Sequence, residues 1–135
     1  MAYNIQNKYL ENEILQADPV KLVRILYRGA IDAVDTARMH LRNGAIRERS
    51  RQIIKALEII HELLRSLDHT AGSQISRALS EIYVYMTHRL IEANAGQIDA
   101  PLAEVNQLLT TLLEGWASVP AHAAVPEARE AAGRG

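Results

Sequence analysis

The sequence predicts an all-α protein, an antiparallel up-down-up-down four-helix bundle with a short N-terminal cap segment and a flexible C-terminal tail. Three observations carry this expectation: apolar residues recur at alternating steps of three and four in four successive segments, cap and stop residues separate those segments, and no strand pattern competes. Phe is absent and Trp occurs once. The core is therefore built from Leu, Ile, Val, Ala and Met with a few Tyr, a set that suits helices packed on helices.

Asp18-Pro19 opens the first helix, because the carboxylate can accept from orphan backbone N–H groups and Pro lacks the N–H that would go unpaired. Val20, Val23, Tyr27, Ala30, Val34, Ala37 and Leu41 form its stripe, and Asn43-Gly44 stops it. The second helix begins near Ile46, carries Ile53, Leu57, Ile60, Leu64 and Leu67, and ends before the polar stretch Asp68 to Ser73. The third begins at Ser73 or Gln74, carries Ile75, Leu79, Ile82, Met86, Leu90 and Ala93, and closes at Asn94-Ala95-Gly96. Asp99 caps the fourth, Pro101 lies in its first turn, and Leu102, Val105, Leu109, Leu112 and Trp116 are its row. Four amphipathic helices with short connections bury their stripes only against one another.

This divides the chain into an N-terminal cap segment, residues 1–17, a bundle over 18–117 and a tail over 118–135. The tail has Pro120, Pro126, many Ala and no sustained stripe, and is expected to be disordered. Tyr3, Tyr9, Leu10 and Ile14 put apolar surface on a cap segment too short to be stable as a free helix.

Composition narrows the function. With 48% apolar and 23% charged residues the chain is expected to be an ordinary soluble domain, and without a signal sequence or membrane span the cytosol is the expected location. Zero cysteines exclude disulfides, thiolate zinc sites and cysteine nucleophiles. A balance of 15 Lys and Arg against 16 Asp and Glu argues against a general nucleic-acid binder. Neither catalytic residues nor a cofactor or metal is expected. Glu58 and His61 form one Glu-x-x-His where a di-iron bundle needs two. Asp68-His69 has only Thr70 and Ser73 near it as nucleophiles, and no glycine-rich phosphate loop occurs. A cluster of Arg42, Arg47, Arg49, Arg51 and Lys55, broken only by Glu48, is either a solvated bundle end or a contact for an acidic partner. Positive charge at a helix N-terminus does not serve helix stability.

The apolar positions exceed what one bundle core absorbs. Leu26, Ile31 and Ile54 are expected to widen the core, while Ile25, Ile59 and Leu63 leave grooves suited to an amphipathic helix from a partner. The expected partner-binding residues are Leu22, Ile25, Leu26, Ile59, Leu63, Tyr83 and Ile91, with Tyr3, Tyr9, Leu10 and Ile14 as a displaceable cap. Gly29, inside the first helix, costs about 1 kcal/mol relative to Ala and implies a close approach, either by a neighbouring helix, the N-terminal segment or a bound peptide.

In order and spacing these motifs resemble the flagellin-specific export chaperones of bacterial flagellar assembly. The resemblance runs from Tyr9 to Trp116 through Asp18-Pro19, Leu22, Leu26-Tyr27-Arg28-Gly29-Ala30-Ile31, Ala56, Ile59-Ile60, Leu63-Leu64 and Leu67-Asp68. It continues through Ile82-Tyr83-Val84-Tyr85-Met86, Arg89-Leu90, Glu92-Ala93-Asn94, Val105, Leu108 and Trp116. It implies a cytosolic bundle that binds the C-terminal segment of new flagellin, prevents premature polymerisation and delivers it to the export gate, with no nucleic-acid partner and no membrane insertion. The tail and the basic cluster have no counterpart in that resemblance. An adaptor bundle that dimerises or docks another assembly factor through the same apolar surface is the alternative.

Overall fold

A computed structural model describes residues 19–67 and 74–118 of the chain. Four helices account for nearly all of them: α1 (Pro19–Arg42), α2 (Ile46–Arg65), α3 (Gln74–Gly96) and α4 (Ala100–Ala117). Helix α1 packs on α2 and α4, α2 on α3, and α3 on α4, which closes a ring of four neighbours. The expected bundle is thus present, and each helix starts and stops within a residue or two of its sequence signals. The N-terminal cap segment, the tail and Asp68 to Ser73 lie outside the described residues.

The core is one cluster drawn from all four helices. Val23, Tyr27, Ala30 and Val34 of α1, Ile53, Ala56 and Ile60 of α2, Met86 and Leu90 of α3, and Leu102, Val105 and Leu109 of α4 are fully buried. At the centre the two phenols Tyr27 and Tyr83 meet, oxygen to oxygen, at 2.5 Å, with ring centroids 6.5 Å apart. That bond lets two hydroxyls sit in an apolar interior without losing their hydrogen-bonding partner.

It also explains where α3 departs from its expected stripe. Its buried row is Ser76, Leu79, Tyr83, Met86, Leu90 and Ala93. Ile75 and Ile82, expected in the core, are displaced from it: Ile75 is 62% exposed and Ile82 half-buried. The helix is rotated so that the phenol of Tyr83 reaches Tyr27, and an isoleucine is left outside.

Two further features differ from the sequence expectation. Ile54 does not widen the core but is 51% exposed, whereas Leu26 and Ile31 do pack against it. Asp99 precedes α4 but makes no capping bond with its side chain. Its carboxylate accepts instead from Arg38 of α1 at 2.8 and 3.0 Å, a bidentate pair across the bundle. Arg24, in the second turn of α1, donates from Nε and Nη2 to the Trp116 carbonyl at 3.1 and 2.6 Å. Two arginines of α1 thus hold the two ends of α4, and the second satisfies a C-terminal carbonyl and complements the helix dipole.

Turn chemistry accounts for the ends. Gly44 takes φ +71° after α1, the left-handed position that glycine fills without steric cost. After α3 that position falls on Gln97, φ 53°, and not on Gly96, which ends the helix. Gly29 faces α2: a Cβ placed on it would lie 3.3 Å from Ile59 Cδ1. Of the approaches open from sequence, the neighbouring helix is the one found.

Candidate functional site

Ser50 Oγ of α2 donates to Asn94 Oδ1 of α3 at 2.8 Å, which fixes the register of that antiparallel pair. From this contact, helix geometry sets two facing rows. On α2 they are Ser50, Ile54, Leu57, His61 and Leu64, and on α3 Asn94, Ile91, Thr87, Val84 and Ser80, each spaced by threes and fours. Neither row holds a Lys, Arg, Asp or Glu. The rows run over 15 residues each, about 21 Å of helix from first to last.

Along this seam Leu57, Leu64, Thr87 and Ser80 are half-buried and form the floor. Ile54, Ile91 (53% exposed) and Val84 (40% exposed) stand up at the rims. Large apolar side chains in an uncharged strip of this length are a surface for an apolar face of a partner.

A second apolar feature lies between α3 and α4 at the opposite end of the bundle. Ile75, Leu79, Thr111, Leu112, Gly115 and Trp116 line a cleft of about 250 Å³. Gly115 has nothing within 4 Å of where a Cβ would stand, so the cleft wall there is open backbone.

The other exposed face of α3, toward α4, is polar and tied. Tyr85 donates to both carboxylate oxygens of Glu104 at 2.8 Å, Arg89 Nε donates to Glu104 at 2.6 Å, and Arg89 Nη1 reaches Glu92 at 2.9 Å. The Tyr85 hydroxyl and then the Arg89 guanidinium hold the Glu104 carboxyl below its ordinary pKa, and the bond to Glu104 holds the Tyr85 phenol above its own. These charges flank α3 on one side only, so the uncharged seam and the charged face are two surfaces of a single helix.

The seven expected binding residues do not converge on one surface. Leu22, Ile25, Leu26 and Gly29 form one stripe of α1, and the approach of Gly29 to Ile59 turns that stripe toward α2. Leu22, Ile25, Leu26 and Ile59 are half-buried along this α1–α2 line. Leu63 and Tyr83 are placed differently from the expectation, with no exposed surface at all. Leu63 shares the inward face of α2 with Ile53, Ala56 and Ile60, and Tyr83 is drawn inward by its bond to Tyr27. Ile91 stands apart from the rest on the α2–α3 seam. The cap residues Tyr3, Tyr9, Leu10 and Ile14 lie outside the described residues.

Ile54, Val84 and Ile75 are surface residues that the sequence expectation did not select. A signal for one of them existed, since Val84 shares with Ser80, Thr87 and the selected Ile91 an uncharged row in a chain where nearly every exposed row carries charge.

Glu58 and His61 are both exposed, and among the described residues no group of three His, Asp or Glu gathers in a way that could hold a metal ion. Among the same residues no helix is long and apolar enough to cross a membrane.

Comparison with known proteins identifies relatives of the whole bundle. The flagellar secretion chaperone FliS of Salmonella typhimurium is 33% identical over 121 residues, covering 89% of this chain and 90% of that protein. The flagellar secretion chaperone FliSB of Pseudomonas aeruginosa is 32% identical over 111 residues, 82% of this chain and 88% of the relative. FliS of Bacillus subtilis, also named a flagellar secretion chaperone, is 30% identical over 115 residues, 83% and 85%. Residues 1–123 match the family described as flagellar protein FliS. On that match, supported by relatives that align over most of both lengths, the chain belongs to the FliS family of flagellar proteins.

Proposed function

We propose that this protein is a flagellar secretion chaperone that binds the C-terminal segment of flagellin in the cytosol, keeps it from polymerising and presents it for export. The observation that carries the reading is the uncharged α2–α3 seam, with Ile54, Val84 and Ile91 standing exposed at its rims. A folded bundle has no use of its own for such a strip, whereas a client that forms helices in its assembled state offers apolar side chains at matching spacing. Leu22, Ile25, Leu26 and Ile59 extend the client path along α1 and α2 in this reading, with Leu63 and Tyr83 as the rigid layer beneath. Tyr3, Tyr9, Leu10 and Ile14 act as a removable cover of the apolar surface. Deletion of residues 1–17 is then expected to raise the fluorescence of a hydrophobic dye.

The direct test mixes the protein with full-length flagellin and follows polymerisation by light scattering. One equivalent of chaperone is expected to suppress filament growth, and flagellin lacking its last few dozen residues is expected to form no complex with it. Undiminished polymerisation at equimolar protein would refute the proposal.

A further inference from the structure

The seam is uncharged along its length but not at its end. Where it opens over the α1–α2 connection, the first turns of α2 present Arg47 and Arg51, with Arg42 at the end of α1 and Lys55 one turn on. All four are exposed, and among the described residues none makes an ion pair or a side-chain hydrogen bond. Glu48 is the single acid between Arg42 and Lys55, and it lies on the side of α2 away from α3. The next acid, Glu58, is a further turn along.

Of these cations Arg47, in the first turn of α2, opposes the stability of the helix that bears it. The N-terminus of α2 carries the positive end of the dipole, and its N-cap, Ala45, contributes no side-chain bond. Beneath them sits Arg49, only 3% exposed, whose Nε has no hydrogen-bond partner and whose Nη2 reaches Asn94 O and Oδ1 at a long 3.3 Å. Among the described residues no carboxylate faces this buried guanidinium. An unneutralised charge in a low-dielectric site projects its field outward instead of into a partner, so it adds to the potential made by Arg47 and Arg51. Three apolar side chains, Ile46, Ile54 and Ile91, are more than half exposed within the same region.

We propose that this end of the seam is a docking site for the acidic end of an amphipathic protein segment, whose carboxylates meet Arg47 and Arg51 while its apolar side chains enter between Ile54 and Ile91. The proposal rests on reading the seam as a docking groove and adds to it a charge requirement and a direction, because only one end of the groove is basic. A protein segment fits better than a nucleic acid. The large apolar side chains exposed among the cations are isoleucines, and single-stranded nucleic acid is held by aromatic platforms that this end lacks among the described residues.

The test uses the full-length protein and three fluorescent 18-residue peptides. The first is an amphipathic helix with a leucine face and glutamates at one end, the second replaces those glutamates with lysines, and the third keeps the glutamates in a glycine-serine background without leucine. The first peptide is expected to bind about tenfold more tightly than either of the others, the size that a few exposed charge pairs produce. Its affinity should fall as salt is raised from 50 to 300 mM. Arg47→Glu/Arg51→Glu is expected to move the preference to the lysine peptide, with a thermal midpoint no lower than that of the unaltered protein as the folding control. Ile54→Ser is expected to weaken the first peptide and leave the third unaffected. Equal binding of the glutamate and lysine helices would overturn the charge requirement while leaving an apolar groove. Equal binding of the third peptide would overturn the groove's part in this site. Tighter binding of a single-stranded oligonucleotide than of the first peptide, or a dimer of the protein that dissociates in Arg47→Glu/Arg51→Glu and binds none of the peptides, would assign the basic end to another partner.

Discussion

The two hairpins of this bundle are built on different plans. In α1 and α2 apolar and charged residues are sharply segregated, and most large side chains that face outward are charged. In α3 and α4 the segregation is weaker, and Ile75, Val84, Tyr85 and Ile91 remain exposed on α3 alone. The first hairpin is held by close apolar contact, with Gly29 set against Ile59. The second is tied down by polar bonds, through Arg24 to Trp116, Arg38 to Asp99, and Tyr85 and Arg89 to Glu104. A helix fixed along one flank, as α3 is through Tyr85 and Arg89 to a neighbour whose own ends are held, can leave apolar residues exposed on its remaining face without losing its place. That division of labour gives α3 a surface available to a partner.

The largest effects should fall in the shared core. Ile60→Ala, in the first hairpin, is expected to cost about 2–5 kcal/mol in denaturant unfolding, since a fully buried isoleucine leaves a cavity behind. A loss that small surface substitutions on α3 could match would erase the distinction between the hairpins. Next comes Gly29→Leu, where a side chain must displace Ile59. The expected loss is about 1–3 kcal/mol in the same unfolding measurement. Normal stability combined with lost binding would relocate the close approach to the client. Tyr27→Phe removes one member of the buried phenol pair and is expected to cost about 1 kcal/mol, measured the same way.

The polar ties of the second hairpin predict a pH dependence. Because the Glu104 carboxyl titrates lower in the fold than in the unfolded chain, acidification protonates the unfolded state first. Its contribution is therefore present above the ordinary carboxylate pKa and is lost as the pH falls through the lowered one. Glu104→Gln should flatten the decline of the thermal midpoint between pH 6 and pH 3. An identical decline in both proteins would show that the tie carries no linkage.

Much of the fold was legible in the sequence, for reasons that also mark where legibility stops. The boundaries of α1 and α2 follow from Pro19, Asn43-Gly44 and unbroken rows of apolar residues. On α3 the reading slipped by one position at two places, taking Ile75 and Ile82 for Ser76 and Tyr83, because a hydroxyl counts as polar until its partner is known. The bond from Tyr27 supplies that partner, and it is 56 residues away. Asp99 reads as a cap from sequence, and only the packing of α1 against α4 brings Arg38 to claim its carboxylate. Likewise, whether the left-handed residue after α3 is Gly96 or Gln97 depends on where the last helical bond closes. The candidate surface was partly visible for the same reason. Ile91 belongs to an uncharged row that periodicity reveals, but Ile54 joins it only once Ser50 and Asn94 fix which rows of α2 and α3 face each other.

The smallest structural effect should accompany the largest functional one. Val84→Asp/Ile91→Asp places two charges on the exposed rim and is expected to change stability by no more than about 1 kcal/mol. Calorimetric titration of the unaltered protein and this variant with a peptide of flagellin's C-terminal segment tests the central claim most directly. A 1:1 complex with the unaltered protein, weakened at least about tenfold in a variant of unchanged thermal midpoint, is the predicted result. Absence of heat with the unaltered protein, or equal affinity for both, would contradict the assignment of the α2–α3 seam as the client surface.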